Sequence, residues 1–112
     1  MKKLTLLLTI IVLSSFTQGD ATTASWYGKH FHGRKMANGD IFNKWAMTCA
    51  SNLYKLGTKL RITNVHNEKS VVVTVTDRIH PKFKNRVDLS RGAFEKIAIL
   101  DKGVIKIKVD KL

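Results

Sequence analysis

Thr58-Lys59-Leu60-Arg61-Ile62-Thr63-Asn64-Val65 and Ser70-Val71-Val72-Val73-Thr74-Val75-Thr76, joined by His66-Asn67-Glu68-Lys69, carry the architecture of this chain. Successive side chains of an extended strand point to opposite sides. Leu60 and Ile62 therefore fall on one face of the first run, with Lys59, Arg61 and Thr63 on the other. In the second run Val71, Val73 and Val75 share a face opposite Val72, Thr74 and Thr76. Two alternating runs across a polar turn predict a β-hairpin.

Outward from the hairpin the same period recurs. Ile105, Ile107 and Val109 alternate with Lys106 and Lys108, which predicts a last strand over Val104 to Val109. Two short strands are expected at Ala24 to Tyr27 and Met47 to Ala50. One helix is expected, capped by Ser90, with Ala93, Phe94, Ile97 and Ala98 on its buried face. Gly28 to Asn43 holds three glycines and no sustained period, so it reads as a loop, and Pro81 marks a loop after the hairpin. Many short strands with one short helix argue for a small, mainly β barrel.

Length and charge narrow the class. At 112 residues the chain holds one domain. Met1-Lys2-Lys3, the apolar run Leu4 to Leu13, and the small residues of Ser14 to Gly19 have the pattern of a secretory signal peptide over residues 1–19. The apolar run falls short of the ~20 residues that span a bilayer, so no stable membrane insertion is expected once the leader is removed. The domain is then residues 20–112, exported to the periplasm, cell wall or medium. Its net charge drops from +12 to +10 with the loss of Lys2 and Lys3. A single cysteine, Cys49, excludes a disulfide-built mini-protein and is expected to be buried. Nucleic acid is not the expected partner: the lysines are spread along the chain, and no arginine-rich run or aromatic ribonucleoprotein motif appears.

A string of short motifs is more specific. Ala24-Ser25-Trp26-Tyr27-Gly28 is followed by Phe31-His32-Gly33-Arg34, Ala37-Asn38-Gly39, Leu56-Gly57-Thr58, Arg61-Ile62-Thr63-Asn64, Asp77-Arg78 and Asp88-Leu89-Ser90. In order and spacing these resemble the rare lipoprotein A family over about residues 24–110. The resemblance implies a six-stranded double-psi β-barrel with one short helix. It also implies a lytic transglycosylase that cleaves peptide-free peptidoglycan glycan strands and leaves 1,6-anhydromuramic ends. A related reading is a non-catalytic, expansin-like module that binds wall polysaccharide. Independently, a strongly basic exported domain is drawn to wall polymers rich in carboxylates and phosphates.

Glycan cleavage needs carboxyl groups. Of the eight acidic residues, Asp20 lies in a polar lead-in, Glu68 and Asp101 in turns, Glu95 on the helix and Asp110 at the tail. Asp40, Asp77 and Asp88 remain. Asp77 ends the valine-rich strand and opens a loop, so a rigid sheet can hold it at a groove; it also matches the family's catalytic aspartate. Asp40, the second expected catalytic carboxyl group, matches the glutamate of the family's Asn-Gly-Glu motif, one methylene shorter. Asp88 is expected to serve the start of the helix. Tyr27, Ser51, Arg78 and His80 form the expected substrate-binding set. Of Trp26 and Tyr27, neighbours on one strand, at most one is expected to face a sugar, and Trp45 is a further candidate platform.

The chain departs from the family at two places. Thr48-Cys49-Ala50-Ser51 puts serine where the family has a functional histidine, and serine carries no proton near neutral pH. Ile79-His80 replaces a Gly-Pro pair, and His80 is the candidate to occupy the space of the missing imidazole. His30 and His32 stand two apart without a cysteine or carboxylate at ligand spacing, so neither a metal nor a cofactor is expected. The protein is expected to be a monomer.

Overall fold

A computed structural model of the protein describes residues 20–28 and 31–112. The leader expected over residues 1–19 and His30 lie outside these residues. The strands are β1 (Thr23–Trp26), β2 (Thr48–Ala50), β3 (Lys59–Asn64), β4 (Ser70–Asp77), β5 (Arg86–Leu89) and β6 (Ile105–Lys111). One helix, α1 (Arg91–Ile97), and a 3-10 turn (Leu100–Lys102) lie between β5 and β6. The strands close into a six-stranded barrel in the order β1-β5-β2-β4-β3-β6, the architecture the resemblance implies.

The hairpin forms in the expected register, with Leu60 opposite Val73 and Ile62 opposite Val71. β3 also pairs antiparallel with β6, so Ile62 meets Val109. Leu60, Ile62, Val73, Val75, Ile105, Ile107 and Val109 line the buried interior with Val87, Leu89 and Phe94, and Cys49 is buried among them. β1 and β5 run parallel, as do β2 and β4. Both parallel pairs join strands far apart in sequence, which requires crossover connections instead of tight hairpins.

β5 has no counterpart among the strands predicted from alternation. Arg86-Val87-Asp88-Leu89 spans only four residues, too short for a periodic signal, and it runs directly into the helix. Asp88 is therefore a strand residue, not part of the helix start. The cap itself is as expected: the Ser90 side chain accepts from the Ala93 N–H at 3.1 Å and donates to the Ala46 carbonyl.

The segment after β1 does not form regular strands, as expected, but it covers a second small core of Tyr27, Met36, Phe42 and Ala50. Tyr27 stacks on Phe42 at 4.4 Å between ring centroids. The Asn38 N–H donates to the Thr76 carbonyl at 3.1 Å, tying this loop to the end of β4. Gly39 sits at φ 95°, a left-handed conformation that glycine adopts without a Cβ penalty.

Candidate active site

Strict alternation along β4 would put residue 77 on the inner face with Val73 and Val75. A β-bulge prevents this. Cys49 of β2 pairs with Val75, but the next residue, Ala50, pairs with Asp77, so β4 carries one extra residue, Thr76. Thr76 is buried, with its hydroxyl against the Met36 sulfur at 3.2 Å. The change of parity turns Asp77 to the outer face beside Ala50.

The same face holds a second carboxylate. Ala50 pairs on its other side with Asp88, which in turn pairs with Ser25. Ser25, Asp88, Ala50 and Asp77 thus form one row across β1, β5, β2 and β4. Neighbouring strands are ~4.8 Å apart, so the backbones of Asp77 and Asp88 stand about 10 Å apart with a methyl group between them. Asp77, Asp88 and Ala50 line one cavity of about 430 Å³ with Trp26, Tyr27, Phe31, Phe83, Arg78, His80 and Arg86.

Each carboxylate is held differently. Asp77 Oδ1 accepts from the Ala37 and Arg78 N–H groups at 3.0 and 2.8 Å. Among the described residues no hydrogen bond reaches its Oδ2. Asp88 Oδ1 accepts from the Ser25 hydroxyl and from Arg86 Nε, the latter at 2.8 Å. The Arg86 guanidinium lies over the Phe83 ring, 3.9 Å from its centroid, so cation, ring and carboxylate form one fixed stack.

The expected substrate-binding residues divide. Tyr27 and His80 line the cavity. Burial first, and the Asp77 charge second, push the Tyr27 phenol well above its ordinary range. The Thr48 hydroxyl lies close enough to oppose this shift, yet neither the Tyr27 hydroxyl nor Thr48 Oγ1 completes a hydrogen bond. His80 is exposed; its Nδ1 accepts from the Lys82 N–H at 3.1 Å and its ring meets Phe83 edge-on. Arg78 also lines the cavity, but its Nη1 donates to the Ser51 and Tyr54 carbonyls, each at 2.6 Å.

Ser51 and Asp40 stand outside the cavity lining. Ser51 is 0% exposed; its hydroxyl accepts from the Leu53 N–H at 3.0 Å and its own N–H donates to the Asp77 carbonyl at 3.0 Å. Asp40 is exposed in a local turn, where its N–H donates to Asn38 Oδ1 at 2.9 Å and its Oδ2 accepts from Asn38 Nδ2 at 3.1 Å. Trp26 and Tyr27 both reach the cavity. Trp26 is half-buried, with its indole N–H donating to the Leu100 carbonyl at 3.2 Å, and Tyr27 is buried. The exposed ring is Phe31, and Phe83 in the same lining is half-buried. Sequence reasoning did not single out Phe31, Phe83, Arg86 or Asp88 for this site. Phe31 and Asp88 stand in the quoted Phe31-His32-Gly33-Arg34 and Asp88-Leu89-Ser90 motifs, whereas Phe83 and Arg86 left no signal. Trp45 is exposed and lies elsewhere, between Lys44 and Arg91, each 5.1 Å from its ring centroid. Among the described residues no cluster of three metal-ligating side chains occurs.

A closed, six-stranded mixed barrel with one short helix, bearing two carboxylates and several aromatic rings in one groove, has the architecture of the double-psi β-barrels. The family profile described as lytic transglycolase matches residues 20–109, and this chain belongs to that family, of the rare lipoprotein A type. An uncharacterized protein of Synechocystis, ssl3177, is 45% identical over 92 residues, covering 82% of this chain and 98% of that protein. The endolytic peptidoglycan transglycosylase RlpA of Pseudomonas aeruginosa is 43% identical over 89 residues, or 79% of this chain. This chain spans only 26% of that protein's length, and 27% of a probable endolytic transglycosylase RlpA of Synechocystis. Among solved structures, the Streptomyces papain inhibitor superposes with a TM-score of 0.64 at 22% identity, covering 83% of this chain and 94% of the inhibitor. A Clavibacter michiganensis expansin superposes with the same score at 24% identity, covering 81% of this chain and 48% of the expansin. Both likenesses are of fold.

Proposed function

We propose that this protein is an exported, monomeric lytic transglycosylase that cleaves peptide-free peptidoglycan glycan strands, with Asp77 as the catalytic carboxyl group. The convergence of Asp77 and Asp88 on one aromatic-lined cavity carries this reading. The support from relatives is the name endolytic peptidoglycan transglycosylase borne by proteins about 40% identical to this chain.

In the proposed reaction Asp77 enters as the acid and gives its proton to the glycosidic oxygen as the C1–O bond breaks. The resulting carboxylate takes the proton of the same sugar's C6 hydroxyl, whose oxygen closes on C1 and forms the 1,6-anhydro ring. No water is consumed, so one carboxyl group completes the cycle. Asp88, held by Arg86 and Ser25, supplies fixed negative charge as C1 becomes cationic. Phe31 and Phe83 offer ring faces to the sugars, and Tyr27, its hydroxyl buried, forms part of the groove wall. Ser51 acts as a positioning residue through its N–H on the Asp77 carbonyl. In this reading Asp40 orders the loop whose Ala37 N–H reaches Asp77.

One observation favours the second reading, an expansin-like module that binds wall glycan without cleaving it. Ser51 is buried and its hydroxyl is engaged by Leu53, so no titratable group stands where the family has histidine. Digestion of peptide-free glycan strands separates the two. Mass spectrometry should find 1,6-anhydromuramyl ends with the wild-type protein. Sedimentation with peptidoglycan in the absence of such ends would establish the binding module instead.

A further inference from the structure

A second cavity lies apart from the groove. It encloses about 600 Å³ where the β3–β4 turn, the end of α1, the 3-10 turn and the start of β6 meet. It shares no lining residue with the groove. β4 starts beside it at Ser70 and ends in the groove at Asp77, which places the two sites about 23 Å apart at ~3.3 Å per residue.

The pocket is held in shape by hydrogen bonds. Asn64 Nδ2 and Asn67 Nδ2 both donate to the Ile97 carbonyl, at 2.8 and 3.0 Å, locking the turn onto the end of α1. The Val65 N–H donates to the Lys106 carbonyl at 3.2 Å. Inside this frame two aliphatic side chains stand in water: Ile99 is 70% exposed and Val104 54%. Lys69, Lys102, Lys106 and His66 line the same space, with Glu95 the only acid. Among the described residues the only ion pairs are Arg86–Asp88 and Arg91–Glu95, so the three ammonium groups have no carboxylate within salt-bridge reach.

These features select a ligand class. No Trp, Tyr or Phe lines the pocket, so it lacks the ring faces on which sugars or bases stack. Aliphatic surface among unpaired ammonium groups suits a short chain that carries several carboxylates and small methyl groups. We propose that this pocket docks an acidic peptide stem of the cell wall, while the groove holds a bare stretch of glycan. The choice of the wall as the peptide's source rests on the proposed function; the acidic-peptide chemistry rests on the pocket alone.

The test is a titration of the ¹⁵N-labelled protein followed by amide chemical shifts. The probe is N-acetylated alanyl-γ-glutamyl-diaminopimelate, and uncharged N-acetyl-trialanine amide is the control. The acidic peptide should shift the amides of Lys69, Ile99, Val104 and Lys106 and leave Asp77 and Ala50 unmoved, while the neutral peptide shifts none. Lys69→Ala with Lys106→Ala, both on exposed side chains, should raise the dissociation constant roughly tenfold. The proposal is overturned if the acidic peptide moves none of the four amides, or if the neutral peptide moves them equally. It also falls if vesicles of phosphatidylglycerol move them and the peptide does not. Peptide-free glycan strands provide the separate arm, since they should shift Ala50 and Asp88. If they fail while the peptide succeeds, the glycan reading is lost and the peptide site stands.

Discussion

Asp77 is oriented by three backbone contacts, from the Ala37 and Arg78 N–H groups to its carboxylate and from the Ser51 N–H to its carbonyl. Asp77→Asn keeps the shape but removes the acid, so formation of 1,6-anhydro ends should fall at least ~100-fold, the usual scale for loss of a general acid. Retention of those ends, measured by mass spectrometry, would remove Asp77 from its role. A second prediction concerns alkali. Burial pushes the Cys49 thiol from 9.0 up to about 12, with Asp88 adding to it, and burial pushes the Tyr54 phenol from 10.0 up to about 12. Tyr27 is displaced in the same direction. The folded state therefore holds these protons more tightly than the unfolded chain. Their contribution to stability is full below about pH 9 and is lost as pH rises toward 12. Urea midpoints should fall steadily between pH 9 and 11.5, and a flat profile over that range contradicts the assignment. Tyr27→Phe removes a buried hydroxyl that has no partner, so at neutral pH it should leave the urea midpoint unchanged or raise it.

Among the elements, the junction of β5 and α1 leaves little room for change. Ser90 both accepts from the Ala93 N–H and donates to the Ala46 carbonyl. Ser90→Ala should cost about 1–2 kcal/mol in chemical denaturation, the scale of a lost helix cap, with the buried Ala46 bond included. Two residues on, a Cβ at Gly92 would stand 2.6 Å from the Trp45 carbonyl oxygen, which is backbone and cannot swing away. Gly92→Ala should therefore destabilise by about 1–3 kcal/mol through overpacking, although alanine is the better helix former. The elements also show where sequence signals end. The hairpin and β6 were legible because each has several alternating residues with aliphatic side chains on one face. β5 was not, because its four residues are recognised only through pairing with β1 and β2. The groove was half legible for a related reason. Asp77 sits at the end of a readable strand, whereas Asp88, Arg86 and Phe83 lie in or beside the unread one.

At the scale of the molecule, charge and topology act separately. The net charge of +12 reflects lysines on outward positions such as Lys59, Lys106 and Lys108, all exposed. Attraction to an anionic wall should be screened by salt, with a Debye length of ~10 Å at 0.1 M falling to ~3 Å at 1 M. Sedimentation with peptidoglycan should thus weaken several-fold between 0.05 and 0.5 M NaCl. Binding indifferent to salt would assign the affinity to the groove's rings and hydrogen bonds instead. No helix among the described residues is long and apolar enough to cross a membrane. By itself the sequence determined the parts whose information is local: the alternating strands, the capped helix, the basic charge, and Asp77 at a strand end. The tertiary structure alone decided which way Asp77 faces, because its direction depends on a bulge defined by pairing with β2. It also decided that Asp88 shares that face and that the aliphatic side chains of Ile99 and Val104 meet unpaired lysines from distant turns. Barrel closure brings these residues together across pairings that no short window of sequence contains.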